Sequence, residues 1–341
     1  MSAPLRLVIS TLPLLGLACV TPDEAPVPVA PDPDDRFLDS QPCAAPGDGL
    51  ALEETAAFTP GGSPAPLVVL MGGSTEVDGA AARFAEAAHG GDLLVLRATG
   101  STSSYTAWFA DELAMNQRPA AVATVLIDDP AHGADDAVLC RVARADAVWL
   151  AGGDQSDYLV RWPDALHQSL ARAVARGIAI GGTSAGAMSL SALTFDAARG
   201  GVDSVEALAA PLDDAVSLSP SPFSPAPLAG LLVDTHFDAR DRLGRLIAFV
   251  ARAAHEGSPL FGLGVDEQTA VVVEGDTVEV AGLGDAWLVA LAGEVALVEG
   301  AALDATASVA PLSLQEQWPP ATGADAAGAS TVIVTDGVID R

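Results

Sequence analysis

The sequence predicts an α/β fold with three layers, in which helices cover both faces of a mostly parallel central sheet. From Leu67 onward, short apolar runs alternate with helix-length amphipathic segments, as expected for strands joined by helical crossovers. A glycine-flanked serine, Ser184, follows one of these runs and begins an alanine-rich stretch, as in a nucleophile elbow after a central strand. Half of the 341 residues are hydrophobic, so the chain can bury a sizeable core.

The first 19 residues are predicted to be an export signal, because Arg6 precedes an apolar run, Leu7 to Ala18, that is too short to span a bilayer. Cys19 stands where bacterial lipoproteins carry their lipidated cysteine, although Gly16 departs from that motif. An ordinary signal peptide cut near Ala18 is the alternative. We therefore expect an exported protein that is either a lipoprotein, attached to the bacterial cell envelope through Cys19, or secreted.

Residues 20–45, rich in proline and aspartate, are predicted to form an extended tether. Residues 46–300 are predicted to form the α/β domain, and residues 301–341 a C-terminal extension with one strand-like run, Thr331 to Thr335. Cys43 and Cys140 can pair in an oxidising compartment, which the sequence leaves open.

The elements of the domain follow in order along the chain. The predicted buried strands are Leu67 to Met71, Leu93 to Leu96, Ala121 to Ile127, Ala147 to Leu150, Ile178 to Ile180 and Leu228 to Val233. The predicted helices are Gly79 to Ala88, Tyr105 to Met115 and Asp164 to Arg176. Two valine-rich runs around Gly275-Asp276, Thr269 to Glu274 and Thr277 to Ala281, predict a hairpin that extends the sheet in antiparallel fashion on its C-terminal side.

The segment from Gly182 to Gly186 has the G-x-S-x-G pattern of a nucleophile elbow. Its glycines allow a sharp strand-to-helix turn that exposes the Ser184 hydroxyl and directs the Ala185 N–H at a developing oxyanion. The alternative is a turn of small residues that serves only close packing of helix on sheet.

A catalytic serine needs a base, and His236 is the strongest of the five histidines. It directly follows an apolar run, so we expect it at the same sheet edge as Ser184. The remaining histidines are predicted to be caps or surface residues: His89, His132, His167 and His255.

The segment from Asp128 to Asp136 gathers four carboxylates and an imidazole. Because it lacks the regular spacing of a calcium loop, we interpret it as a solvated turn and helix cap, and we predict no metal site.

The net charge of −29, from 45 acidic and 16 basic residues, argues against nucleic acid or an anionic membrane surface as a partner. Arg240, Arg242 and Arg245 form a local cluster of positive charge that suits a carboxylate substrate. The alternative is that these arginines neutralise acids such as Asp238 and Asp241, and it is strongest for Arg245.

Four blocks together resemble the cyanophycinase and dipeptidase E family of serine peptidases. They are Gly152 to Gln155, Gly182 to Ala187, Asp234 to Phe237 with the three arginines, and Gly264 to Ala270. The resemblance implies a three-layer α/β fold, a serine–histidine peptidase without metal or cofactor, and substrates of the acidic dipeptide class. Cyanophycinases cleave a polymer of aspartate with arginine branches, whereas dipeptidase E takes short peptides that begin with aspartate.

The same resemblance implies that Ser184 is the nucleophile and His236 the base, with the N–H groups of Gly73 and Ala185 as the oxyanion hole. It further implies substrate contacts from Gln155, Asp234, Arg240, Arg242 and Arg245. The third catalytic residue would be a carboxylate between the serine and the histidine. Asp196, Asp203 and Glu206 are candidates, and we favour Glu206.

Thr235 stands where cyanophycinases usually have glutamine. Together with the export signal, this favours an extracytoplasmic peptidase, such as an exopeptidase, that acts on free cyanophycin-like polymer or on other acidic or β-linked aspartyl peptides. The oligomeric state stays open, with a homodimer as one expectation.

Two other functions compete with this prediction. An α/β-hydrolase esterase shares the elbow, but it usually carries its histidine far toward the C-terminus, and no histidine follows His255. A catalytically silent surface lipoprotein could retain the fold to bind acidic peptides or a partner, and it would bind without turnover.

Overall fold

The computed structural model describes residues 32–39, 41–258, 260–312, 318 and 328–340. The predicted signal peptide, including Cys19, lies outside these residues. The chain divides into two compact units, residues 1–33 and 34–341, and all features below belong to the second. Within the described ranges, no helix has the length and apolar character needed to cross a membrane.

The described strands and helices follow in chain order. The strands are β1 (Ala51–Glu54), β2 (Leu67–Met71), β3 (Asp92–Arg97), β4 (Ala121–Leu126), β5 (Ala147–Leu150), β6 (Ala179–Thr183), β7 (Leu193–Phe195), β8 (Leu218–Pro220), β9 (Leu231–Thr235), β10 (Phe261–Val265), β11 (Thr269–Glu274), β12 (Thr277–Gly282), β13 (Ala286–Leu291), β14 (Ala305–Pro311), β15 (Ser330–Thr335) and β16 (Val338–Asp340). The α-helices are α1 (Asp78–Glu86), α2 (Ser103–Ala107), α3 (Asp136–Arg144), α4 (Asp164–Ala175), α5 (Ala185–Met188), α6 (Ser204–Ala209) and α7 (Leu243–His255).

A central sheet of eight strands has the order β1-β4-β3-β5-β6-β2-β11-β12. Its five middle strands are parallel, and the β11–β12 hairpin extends it in antiparallel fashion beside β2. Helix α1 packs on one face with Phe84 against Trp149, while α3 and α4 cover the other face. The predicted three-layer α/β fold with a mostly parallel sheet and this hairpin is confirmed.

A second sheet of six strands has the order β16-β15-β14-β13-β10-β9, with α7 packed on it. Strand β9 therefore pairs with β10 in parallel, and not with the strand that precedes Ser184. The expectation that His236 and Ser184 follow strands of one sheet is wrong, because hydrophobic patterning identifies a buried strand but not its pairing partner. The predicted strand from Leu228 also begins later, at Leu231.

The segment after Asp34 is attached to the domain. The Asp34 carboxylate pairs with Arg172 at 2.8 Å, and a disulfide joins Cys43 to Cys140 with Cα atoms 5.7 Å apart. The Arg144 guanidinium donates to the carbonyl of Phe37 at 2.6 Å. These contacts lie inside the stretch predicted as a tether, so the folded domain begins before residue 46.

The acidic segment from Asp128 to Asp136 forms helix caps, as predicted. In this segment, Asp129 and Asp135 cap the helical turns that follow them, by accepting from the N–H groups of Ala131 and Ala137, so the capping prediction is confirmed.

The helix predicted to reach Met115 instead ends in a π-helical turn, Trp108–Glu112, closed by a bond from the Leu113 N–H to the Trp108 carbonyl.

Candidate active site

The elbow between β6 and α5 holds Ser184 in a strained conformation, with φ 53° and ψ −122°. A Cβ atom at Gly186 would collide with the carbonyl oxygen of Leu150, and one at Gly182 would lie 2.7 Å from the same oxygen. The two glycines therefore allow α5 to approach β5 closely, and this approach fixes the turn that exposes the serine.

The structure brings Ser184 and His236 together although they follow strands of different sheets. The Ser184 hydroxyl lies 2.8 Å from Nε2 of His236. His236 has a positive φ of 49°, and its N–H donates to the carbonyl of Gly72 at 2.9 Å. That bond attaches the end of β9 to the loop that follows β2, which explains how the second sheet delivers a side chain to the first.

The carboxylate that contacts His236 is Glu267, whose Oε1 lies 2.6 Å from Nδ1 of the imidazole. Glu206, favoured from the sequence, does not occupy this position. Its side chain accepts from the N–H of Asp203, and Asp203 accepts from the N–H of Glu206, in a capping box at the start of α6. Asp196, the remaining candidate, accepts from the hydroxyls of Ser217 and Ser219.

The sequence prediction placed the acid between the serine and the histidine, whereas Glu267 follows both of them in the chain. A signal for it existed in the sequence, since Glu267 lies in the block Gly264 to Ala270. In the structure Val265 is paired with Thr235 on parallel neighbours. The residues just after both strands therefore meet at one edge, and they include His236 and Glu267.

The surroundings favour the neutral form of the His236 imidazole and the charged form of the Glu267 carboxylate. Burial lowers the pKa of His236, and the hydrogen bond with Glu267 opposes this by raising it. The same hydrogen bond holds the pKa of the Glu267 carboxyl below its ordinary value. Neutral imidazole with Nδ1 hydrogen-bonded to a carboxylate can accept a proton at Nε2 from a serine hydroxyl.

The two predicted oxyanion donors are placed differently: Ala185 directly follows Ser184, whereas Gly73 lies against His236. Gly73, with φ 94°, lies so close to the imidazole that a Cβ atom there would sit 2.5 Å from Cε1 of His236. The strand that precedes Gly73, β2, pairs with β6. Where these two strands end, the Ser184 N–H donates to the carbonyl of Met71 at 2.9 Å. Ala185 begins α5, where helix N–H groups have no partner within the helix.

A cavity of about 180 Å³ opens at Ser184, with Gln155 and Arg240 in its lining. The Gln155 amide donates to the carbonyl of Phe195 at 3.1 Å, which fixes this side chain at the cavity wall. Arg240 is exposed, and among the described residues its guanidinium forms no hydrogen bond or ion pair.

The other members of the predicted substrate-binding set bond to one another. Asp234 is fully buried, and Arg245 donates to both of its carboxylate oxygens at 2.7 and 2.6 Å. Arg242 bonds to the same carboxylate at 3.1 Å, and burial lowers the pKa of Arg242 to about 10. The structure therefore contradicts a substrate contact for Asp234. Arg245 thus neutralises the buried Asp234, while Arg242 and Arg245 also belong to the lining of the cavity at Ser184.

Comparison with known proteins adds three findings. Residues 98–281 match the family model for peptidase family S51. Cyanophycinases of Synechococcus elongatus and Thermosynechococcus vestitus are each 35% identical over 170 residues, which cover 48% of this chain and 48% of each relative. The chain thus matches about half the length of these curated relatives. The crystal structure of a peptidase from an acI-B1 actinobacterium shares the fold, with a TM-score of 0.50 and 16% identity over 75% of this chain and 97% of that one.

Proposed function

We propose that this chain, which belongs to peptidase family S51, is a serine peptidase that acts through Ser184, His236 and Glu267. The match covers over half of the chain and confirms the family predicted from the four motif blocks. One observation carries the catalytic assignment: a continuous hydrogen-bonded series, in which Ser184 lies 2.8 Å from the imidazole and the imidazole 2.6 Å from Glu267.

In the proposed reaction, His236 takes the Ser184 proton at Nε2 while the serine oxygen forms a bond to the carbonyl carbon of the substrate. The resulting oxyanion receives hydrogen bonds from the N–H groups of Gly73 and Ala185. His236 then passes the proton to the leaving amine as the carbon–nitrogen bond breaks. The imidazole then takes a proton from water as the water oxygen bonds to the acyl carbon, and it returns that proton to the Ser184 oxygen as the ester bond breaks and the acid product leaves. Glu267 stabilises the imidazolium at each proton transfer.

We further propose that the substrate carries a carboxylate next to the bond that is cleaved, as in aspartyl and β-aspartyl peptides and cyanophycin-like polymer. Arg240 supports this, because its exposed guanidinium lines the cavity and forms no hydrogen bond or ion pair among the described residues, so that it can pair with a carboxylate of the substrate. Arg242 also lines the cavity and adds positive charge, although Asp234 neutralises part of that charge. Gln155 supplies an amide to orient the substrate.

Export remains part of the proposal. The disulfide between Cys43 and Cys140 supports an oxidising compartment, since cytosolic proteins of ordinary bacteria rarely keep such bonds. We therefore propose a secreted or envelope-attached peptidase, with Cys19 as the candidate site of lipid attachment.

The test is hydrolysis of cyanophycin and of α- and β-aspartyl dipeptides by the mature protein, with Ser184→Ala as the inactive control. We expect turnover of at least one acidic substrate. We also expect Arg240→Gln to raise KM, while Arg83→Gln, which removes two surface ion pairs between α1 and the β11–β12 hairpin, leaves it unchanged. Binding of these peptides without turnover, with Ser184 inert toward a fluorophosphonate probe, would instead support the silent binding protein.

A further inference from the structure

Glu76 lies in the loop that follows β2, three residues after Gly73, and its side chain is half-buried. Its Oε1 atom accepts a hydrogen bond from the Tyr105 hydroxyl at 2.6 Å. Its Oε2 atom is buried and has no partner at ordinary hydrogen-bond length among the described residues. Because a buried carboxyl oxygen is costly to leave unpaired, the groups around it deserve a functional explanation.

The hydroxyl of Thr183, the last residue of β6, is a second buried group without a partner at ordinary hydrogen-bond length in the described part of the chain. Burial raises the pKa of the Glu76 carboxyl, whereas hydrogen bonding with the hydroxyls of Tyr105 and Thr183 lowers it. The Thr183 hydroxyl therefore interacts with the Glu76 carboxyl over a distance longer than that of an ordinary hydrogen bond.

Tyr105 is a permanent hydrogen-bond donor to Glu76. Burial and the negative charge of Glu76 raise the pKa of Tyr105, whereas the nearby Trp149 indole lowers it. Since the ordinary pKa of tyrosine is already about 10, the hydroxyl keeps its proton at neutral pH. The Tyr105 ring stacks on Phe109 with centroids 6.3 Å apart, which fixes the hydroxyl relative to the core.

Backbone bonds hold only the start of the loop that carries Glu76. The Gly73 carbonyl accepts from the Gln268 N–H at 3.0 Å. Residues 74–76 form no backbone–backbone hydrogen bond within the ranges that the structure describes. The Glu76 side chain is therefore an attachment of this stretch to the rest of the fold.

Glu76 connects the two chain segments that carry the proposed oxyanion donors. Gly73 precedes it by three residues in the loop. Ala185 follows Thr183 by two residues in the elbow. The contact between Glu76 and Thr183 thus joins one donor segment to the other.

We propose that Glu76 is a positioning residue that sets the spacing between the N–H groups of Gly73 and Ala185. Oxyanion donors act only when they lie about 2.7–3.1 Å from the developing charge, so a small shift of the loop removes much of their effect. This role rests on the proposed function, since it requires Ser184 to be the nucleophile.

The experiment compares variants of the mature protein on the best acidic substrate. We expect Glu76→Ala to lower kcat by about 100-fold and to change KM by less than about twofold, because the oxyanion exists only in the transition state. Thr183→Val should lower kcat by about tenfold, and adding it to Glu76→Ala should cost less than about twofold more, because the two groups act as a pair. Glu76→Gln should restore kcat to within about fivefold of the original chain, since an amide can bond to both hydroxyls.

The matched control is Thr124→Val, which removes a buried hydroxyl bonded to Thr106 at 2.8 Å, away from the loop. It should lower the urea midpoint of unfolding and leave kcat unchanged, and this separates a loss of stability from a loss of positioning. The rate at which a fluorophosphonate labels Ser184 is a second measurement that needs no peptide. We expect this rate to fall in parallel with kcat, because attack on phosphorus also places negative charge on an oxygen.

An unchanged kcat in folded Glu76→Ala would overturn the proposal, as would a fall in kcat of the same size in Thr124→Val. Losses that simply multiply in the double variant of Glu76 and Thr183 would also overturn it. If the original chain is active in these cases, the proposed peptidase function stands. An original chain that is inert toward both substrates and probe would overturn the two proposals together.

Discussion

The two sheets contribute differently to the candidate active site. The central sheet supplies Ser184 from a local strand–turn–helix unit, whereas the second sheet supplies His236 and Glu267 from the ends of two parallel strands. The sheets meet where the His236 N–H donates to the Gly72 carbonyl. The position of the proposed nucleophile is thus a local feature, while the positions of the proposed base and acid depend on how the second sheet docks against the first.

The largest effects should come from the two groups that meet across the sheets. We expect Ser184→Ala and His236→Ala each to lower kcat by roughly 10⁴- to 10⁶-fold, because either change removes proton transfer from the nucleophile. His255→Ala, an exposed histidine at the end of α7, is the matched control. Steady-state kinetics on the best acidic substrate, with circular dichroism to verify folding, measure this. Comparable losses in all three variants would refute the assignment.

The next largest effect separates two glutamates. We expect Glu267→Gln to lower kcat by about 10³- to 10⁴-fold, because the imidazole loses its orienting carboxylate and the imidazolium its counter-charge. Glu206→Gln should leave kcat within a factor of about two and the free energy of unfolding nearly unchanged, because a glutamine side-chain oxygen can also accept the Asp203 N–H of the capping box. Kinetics and urea unfolding of both variants decide this, and the reverse pattern would restore Glu206 as the acid.

We expect the N-terminal segment around Cys43 to stabilise the fold without contributing to the candidate active site. The Cys43–Cys140 disulfide spans 97 residues and attaches this segment to α3, which packs on the central sheet. We expect the double change to serine to lower the free energy of unfolding by about 4 kcal/mol through loss of loop closure. Because no residue of the proposed triad lies in this loop, kcat of the folded variant should be retained. A large fall in kcat would show that the segment also supports the site.

The smallest effect is a shift of the pH profile. In the proposed mechanism the neutral form of His236 is the active base, and burial lowers its pKa, so kcat/KM should rise with pH through a limb below the ordinary histidine range. Residual activity in Glu267→Gln should show this limb at still lower pH, since the bond that raises the pKa is lost. Arg240→Gln should move it upward, because Arg240 lowers the pKa of His236. Shifts in the opposite directions would contradict this account.

Much of the central sheet could be predicted because each of its elements has a local signature. The strands at Leu67 and Ala147 begin where the apolar runs begin, and the hairpin turns at Gly275-Asp276. The second sheet could not be predicted in the same way. Its strands include β14, which carries few large apolar residues, and its order depends on pairings between segments distant in the chain.

The sequence by itself determined the layered α/β class, the glycine-flanked elbow at Ser184 and the family, because these depend on residue type and short spacing. Only the tertiary structure decided that Glu267 contacts His236, that Asp234 is buried between Arg242 and Arg245, and that Arg240 alone of these arginines lacks a partner among the described residues. The physical reason is that the charge of a side chain depends only on the residue type. The group that it contacts depends on which strands pair and on which strand ends lie at the same edge of the fold.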